Sequence, residues 1–206
     1  MNIPSPHPAL AELPASDRDI ALETMALLCD QPYVFAIVTG THQYGFVSDD
    51  GDIDVRGAFT APTESILGFE TVDEHKTIMT VLSEREVDGV AFEMRRFIEL
   101  ILKGAGNLVE ELYSPHVLFD SGHLDELREA VRPCLTSRLF RHYIGFFRAC
   151  VKKLKSEKKP PEVKTALYAT RIALSGITLL REGIVEAHLP TLNQQFNLPF
   201  VEEWRA

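Results

Sequence analysis

Apolar positions along the first third of the chain change period several times. Ile20, Thr24, Leu27 and Leu28 recur at helical spacing and predict a helix ending near Cys29, ahead of Pro32. Ser16 and Asp19 have the spacing of a capping box at its start. Tyr33 to Thr39 is dense in β-branched and aromatic residues and predicts a buried strand closed by Gly40. Residues 41–46 read as a short turn or helical start, and Asp49-Asp50-Gly51 as a tight turn. From Asp52 to Thr60 the period becomes two, so Ile53 and Val55 point one way and Asp52, Asp54 and Arg56 the other. Pro62 opens one or two helical turns to Leu67. Further strands are expected at 77–82 and 87–89. Val90, Met94, Phe97, Ile98 and Ile101 predict an amphipathic helix ending at Gly104. Asn107 is placed to cap a short helix to Tyr113, and a further helix runs over 124–131 until Pro133.

Beyond Pro133 the pattern is helical. Phe140, Tyr143, Ile144, Phe147, Cys150, Val151 and Leu154 step by three and four. A basic, proline-stopped segment follows, then a second long helix over 162–181 closed by Gly183. The last twenty residues show little periodicity and read as loop. The expected fold class is α/β (α+β): a small mixed sheet with flanking helices in 1–133, then a helical half in 134–206 closing a cleft.

Composition narrows the classes. The chain has 206 residues, 45% hydrophobic and 25% charged, as in ordinary globular proteins. A formal net charge of −9 argues against sequence-blind coating of nucleic acid, which needs a basic face, but leaves room for a local basic groove. Cys29, Cys134 and Cys150 are far apart, so neither a disulfide framework nor a zinc knuckle follows and a reducing cytoplasm is expected. The proline-rich start, MNIPSPHPAL, lacks the regions of a signal peptide and reads as a loose leader. No apolar run approaches the length of a membrane span.

The chemistry centres on Asp52 and Asp54. Two carboxylates side by side repel each other unless a cation or proton neutralises them, and a divalent ion seeking oxygen ligands suits. A glycine-led turn at Gly40 and Thr41 exposes N–H groups that suit phosphate oxygens. Together these suit in-line phosphoryl or nucleotidyl transfer helped by two metal ions, Mg²⁺ or Mn²⁺. A third carboxylate is expected: Asp88, at the end of its strand, with Glu93, one turn into the following helix, as the alternative. Asp88 would also orient and deprotonate the acceptor hydroxyl. The bland reading of the same D-x-D is a solvated surface pair.

Other residues join by position. Arg56 shares the aspartate face and either pairs with Asp54 or reaches a phosphate. Lys164, Tyr168, Arg171 and Ser175 form one helical stripe that either faces the cleft, holding triphosphate and base, or is a solvated face. Lys152, Lys153, Lys155, Lys158 and Lys159 are either an RNA-binding patch or an exposed linker. His42 lies in the phosphate turn, and Arg95 and Arg96 are assigned to the outer face of their helix. Neither a G-x-S-x-G elbow nor a Walker-type loop is present.

Gly40-Thr41, Tyr44-Gly45 and Asp49-x-x-Asp52-Ile53-Asp54-Val55-Arg56-Gly57 together resemble the signature of the polymerase-β-like nucleotidyltransferase superfamily. Phe92 to Pro115 and the helix segment KTALYATR are similar to later blocks of its RNA-ligase-associated members. The resemblance covers roughly residues 34–183. It implies a nucleotidyltransferase fold, Mg²⁺ and a nucleoside triphosphate, with Gly40 and Thr41 at the triphosphate and Asp52, Asp54 and Asp88 as metal ligands. The chain departs from it where Thr41 replaces a serine, where Gly51 precedes Asp52, and at Ala105-Gly106 in place of Asn-Pro; a terminal segment is also expected to be missing or divergent. The implied reaction moves a nucleoside monophosphate to a hydroxyl of RNA or a protein. A non-catalytic nucleotide-binding module and a toxin-type transferase are the alternatives.

Overall fold

The computed structural model describes residues 13–47, 51–69, 71–156 and 160–205. The Asp49-Asp50 part of the expected turn, most of the leader, and Lys158 and Lys159 lie outside them.

Helix α1 (Ala15–Leu28) leads into β1 (Tyr33–Val38), which passes through the short helix α2 (Gly40–Tyr44) to β2 (Ile53–Phe59). Helix α3 (Thr63–Leu67) precedes β3 (His75–Leu82), β4 (Arg85–Glu93), α4 (Met94–Leu102), α5 (Gly106–Leu112), β5 (Val117–Asp120) and α6 (Leu124–Val131). Helices α7 (Phe140–Leu154), α8 (Val163–Glu182), α9 (Leu189–Phe196) and α10 (Pro199–Arg205) follow. The five strands form one mixed sheet in the order β3-β4-β2-β1-β5, antiparallel except for the parallel pair β2–β4.

The two faces of the sheet bury different helices. Ile53, Val55 and Val87 face α1, whose Ile20, Ala21 and Met25 complete that core. Phe35, Ile37 and Ala58 face the other way, onto Phe97 and Ile101 of α4, Leu108, Val109 and Leu112 of α5, Tyr143 of α7 and Ile172 and Leu179 of α8. One apolar cluster therefore spans the strands and the C-terminal helices. Among the described residues, no helix is long and apolar enough to cross a membrane.

Several local expectations change. Helix α1 has Pro14 at its N-cap and no side-chain cap; the Ser16 hydroxyl donates to Asp17 instead. The helix expected from Val90 begins only at Met94, because 85–93 pairs on both sides as β4, antiparallel to β3 and parallel to β2. Along β4, Val87, Gly89, Ala91 and Glu93 alternate inward, a period of two that overrides the helical spacing of Val90 and Met94. Strand β5 is unforeseen, being only four residues long. Ala105, not Asn107, precedes α5 as its N-cap, and the Asn107 amide donates to Glu111. The C-terminal stretch is not loop but α9 and α10, which bury Leu189, Leu192 and Val201 against Leu167 and Leu174 of α8. Those apolar positions are too sparse to show a helical period in so short a segment.

Candidate active site

Strand β2 carries the acidic residues on one face, as its alternation dictates. Ile53 and Val55 are fully buried, while Asp54 and Arg56 point to the opposite side and Asp52 stands just before the strand. In the parallel ladder Asp54 lies beside Asp88. This side-by-side placement depends on β4 reaching past Asp88, which is mid-strand rather than at a strand end. Glu93 pairs opposite Phe59, five residues further on and about 16 Å away along the strand. It is the last residue of β4, and its carboxylate caps α4 by accepting from the N–H groups of Arg95 and Arg96, not one turn inside a helix. Glu93 is therefore removed from the acidic group and Asp88 belongs to it.

Arg56 binds this group together. Its Nη2 donates to Asp54 Oδ1 at 2.9 Å and Asp88 Oδ2 at 3.1 Å, and its Nη1 donates to the Asp88 carbonyl at 2.7 Å. Of the two roles open to Arg56, pairing with Asp54 is the one observed. Burial raises the Asp54 carboxyl above its usual range; Arg56 pulls it back, and the charges of Asp52 and Asp88 push it up again. The guanidinium is itself partly desolvated, yet Asp54, Glu111 and Asp88 hold its proton more firmly than usual.

The glycine turn closes over Asp54. Gly40 has φ of +65°, a left-handed conformation that favours glycine, and a Cβ there would collide with Asp54 Oδ2. The Thr39 N–H donates to the Asp54 carbonyl at 3.0 Å, so the start of α2 is fastened to β2. The hydroxyl of Thr41 is buried and has no hydrogen-bond partner among the described residues. His42 does not face a substrate: its Nε2 meets Asp17 Oδ2 at 3.0 Å inside the protein. Asp17 also pairs with Arg85 at 3.5 Å, and Arg85 donates twice to the Gly51 carbonyl, at 2.6 and 3.0 Å. A buried chain of polar contacts thus links α2 to the segment entering Asp52.

The stripe on α8 turns from solvent to core along its length. Lys164 is exposed, Tyr168 half-buried, and Arg171 and Ser175 buried. Tyr168 packs edge-on against Tyr44 and Phe46, with ring centroids 5.8 and 5.0 Å away. Its hydroxyl is pushed up to about 12, first by burial and then by the charges of Asp54 and Asp52, within whose electrostatic reach the ring lies. Arg171 does not open onto the cleft as expected. It is 2% exposed, pairs with Glu110 Oε2 at 2.6 Å and stacks over the Tyr44 ring at 3.9 Å. The stripe is not a solvated face, and only its first half can meet a ligand.

Sequence reasoning missed Glu110 and Glu111. The Glu111 carboxyl is raised to about 8 by burial, with Arg56 and the Asn107 amide opposing and the Glu110 and Asp54 charges reinforcing the rise. Its place in Val-Glu-Glu-Leu on a short helix gives no signal of this, since two adjacent glutamates usually face water. Only the packing of α5 under β2 brings it within reach of Arg56.

A model of the RNA repair pathway DNA polymerase beta family matches residues 16–200. The chain belongs to that family. An uncharacterized protein of Methanocaldococcus jannaschii is 27% identical over 158 residues, covering 73% of this chain and 61% of that protein. The chain thus spans about three fifths of the length of this relative. A nucleotidyltransferase-like protein from Exiguobacterium sibiricum 255-15 aligns over 92% of this chain and 65% of its own, with TM-score 0.42 and 12% identity.

Among the described residues, no three His, Cys, Asp or Glu groups come close enough to hold a metal ion. The donors nevertheless fit a divalent cation in kind. Asp52, Asp54 and Asp88 offer hard carboxylate oxygens, and the desolvated Asp54 carboxyl is short of positive charge.

Proposed function

We propose that this member of the RNA repair pathway DNA polymerase beta family transfers a nucleoside monophosphate from a nucleoside triphosphate to a hydroxyl acceptor, RNA or protein, releasing pyrophosphate. The observation that carries the reading is Asp88 beside Asp54 in the parallel ladder, with Asp52 just before the strand and the Gly40 turn closed against Asp54. Asp52, Asp54 and Asp88 would hold Mg²⁺ or Mn²⁺. Two such ions, when bound, neutralise the triphosphate and favour an ionised attacking oxygen.

The chain's own residues do the rest. Gly40 and Thr41 receive the β- and γ-phosphates, with the unpartnered Thr41 hydroxyl as a ready donor. Lys164, exposed at the start of α8, neutralises phosphate charge, and Tyr168 offers its ring to the base. Arg171 acts indirectly, holding Tyr44 and Glu110 in place. The acceptor oxygen attacks the α-phosphorus, its proton passes to Asp88, and the bond to the β-phosphate oxygen breaks. Arg56 keeps Asp54 and Asp88 together while no other cation is present. The work is assigned to the cytoplasm, in line with three free cysteines.

The test is incubation with each labelled triphosphate, Mg²⁺ and a pool of total RNA. Label is expected in RNA or protein, and Asp54→Asn is expected to abolish it. A second reading, a non-catalytic nucleotide-binding module, is favoured by one observation: Arg56 already occupies the space between Asp54 and Asp88. Nucleotide binding without transfer of label would establish that reading instead.

A further inference from the structure

Residues 130–156 contain seven Lys and Arg and no Asp or Glu, in a chain of formal net charge −9. Helix α7 sorts these charges. Arg141, Arg148, Lys152 and Lys155 fall at i, i+7, i+11 and i+14 and so share one side of the helix, where all four are exposed. None of the four has an acidic partner among the described residues, whereas Lys153, on the flank, pairs with Glu162 at 2.8 Å.

The same flank of α7 carries His142 and Phe146. These rings stack at 6.4 Å with an interplanar angle of 27°, and Phe146 is 41% exposed. The row continues from Phe146 to Tyr168 at 6.5 Å and from Tyr168 to Phe46 at 5.0 Å. Tyr168 in turn feels the charges of Asp54 and Asp52. A line of aromatic rings therefore leads from the open side of α7 toward the carboxylates, and the basic stripe lies about a third of a turn around the helix, across the small exposed Gly145 and Ala149.

Aromatic rings and a basic stripe on the one exposed side of a helix match a polyanion with flat, separable bases, whose backbone and bases reach different parts of that surface. A duplex would hide its bases and needs a broader positive surface than a chain of this charge offers. An acidic peptide would use the stripe and leave the rings idle. We infer that the α7 flank docks the single-stranded end of an RNA, with Phe146 under its terminal base and the Arg141–Lys155 stripe along its phosphates, and presents the terminal hydroxyl to Asp52 and Asp54. The choice of RNA over DNA follows the RNA repair description of the matched family. The inference rests on the proposed transfer to a hydroxyl and names its acceptor.

Docking can be measured apart from transfer, by fluorescence anisotropy of a labelled single-stranded RNA with no divalent ion or triphosphate. Binding is expected to weaken as salt rises. Arg148→Glu with Lys152→Glu should weaken it by about tenfold or more and flatten the salt slope by about 1 to 2. Phe146→Ala should weaken binding about five- to a hundredfold with the slope unchanged. Arg18→Glu on α1, across the sheet, is the control: a single charge reversal, half that of the double variant, on the opposite face. Unaltered binding in the α7 variants, or an equal loss in Arg18→Glu, overturns the proposal. So does duplex RNA, single-stranded DNA of the same sequence or polyglutamate binding as tightly. If RNA docks as described but no triphosphate is ever transferred, the transfer reading fails while the docking stands.

Discussion

The side chain of Asp54 occupies the place that a Cβ of residue 40 would need, so Gly40 and Asp54 can be neighbours only while residue 40 is glycine. The phosphate turn and the acidic strand are thereby one unit, closed further by the Thr39 N–H on the Asp54 carbonyl. Gly40→Ala should cost about 1–2 kcal/mol from the left-handed backbone alone, with the collision added. A thermal melt should fall by about 2–4 °C for each kcal/mol, and Mn²⁺ binding should weaken beyond what lost stability explains. An alanine variant with unchanged melting and Mn²⁺ affinity would show that the turn and the carboxylate are independent.

Arg56 bridges Asp54 and Asp88 through one guanidinium nitrogen. Arg56→Gln leaves these carboxylates facing each other with their charge uncompensated. The variant should be less stable than the parent in EDTA. It should gain more melting temperature from Mn²⁺, because a ligand that binds only the folded form stabilises in proportion to its occupancy. Equal Mn²⁺-induced shifts in parent and variant would argue against a metal at these carboxylates.

Glu111 makes stability depend on pH. Its carboxyl is raised to about 8 from a reference of 4.5, so the folded form holds a proton that the unfolded chain has released. The contribution is fully present below the reference value and is lost as pH rises toward about 8. Glu111→Gln removes the ionisable group, and the variant should gain on the parent in stability between pH 5 and about 8. Urea titrations at a series of pH values check this; parallel curves for the two proteins would refute it.

The two ends of the α8 stripe should respond differently. Arg171→Met leaves the Glu110 carboxylate buried without its partner and should cost about 3–5 kcal/mol. Arg171→Met with Glu110→Gln should recover much of that, measurable as a coupling in a double-mutant cycle. Lys164→Ala, at an exposed position, should alter stability by no more than about 0.5 kcal/mol while weakening triphosphate binding, which isothermal titration would read.

Asp17 joins His42 of α2 to Arg85 of β4, and through Arg85 to the Gly51 carbonyl. Asp17→Asn keeps the size but not the charge, and should cost about 1–3 kcal/mol through the buried partners it leaves underserved. A chemical-denaturation midpoint identical to the parent would show the network to be incidental.

Much of this molecule could be read from local pattern. The alternation Ile53-Asp54-Val55-Arg56 determined which side chains face α1 and which face the opposite side, because period two follows from strand geometry alone. The steps of three and four in α7 and α8, and the glycine at position 40, were equally local. The failures were also local ones: Val90 and Met94 fit a helix well enough to mask the end of β4, and the terminal helices are too short to show a period.

Tertiary structure alone decided the composition of the site. Asp88, 34 positions after Asp54, reaches it only because β4 pairs parallel with β2 in that register, and a slip of one residue would turn it to the other face. The sequence placed Lys164, Tyr168 and Arg171 on one line, but the tilt of α8 into the core assigned Lys164 to solvent, Tyr168 to the carboxylates and Arg171 to Glu110. Glu111 carries no mark in its own neighbourhood; its raised pKa exists because α5 is packed beneath the sheet. Local periodicity is set by backbone geometry and survives without partners. Charge neighbours and burial are properties of the assembled chain.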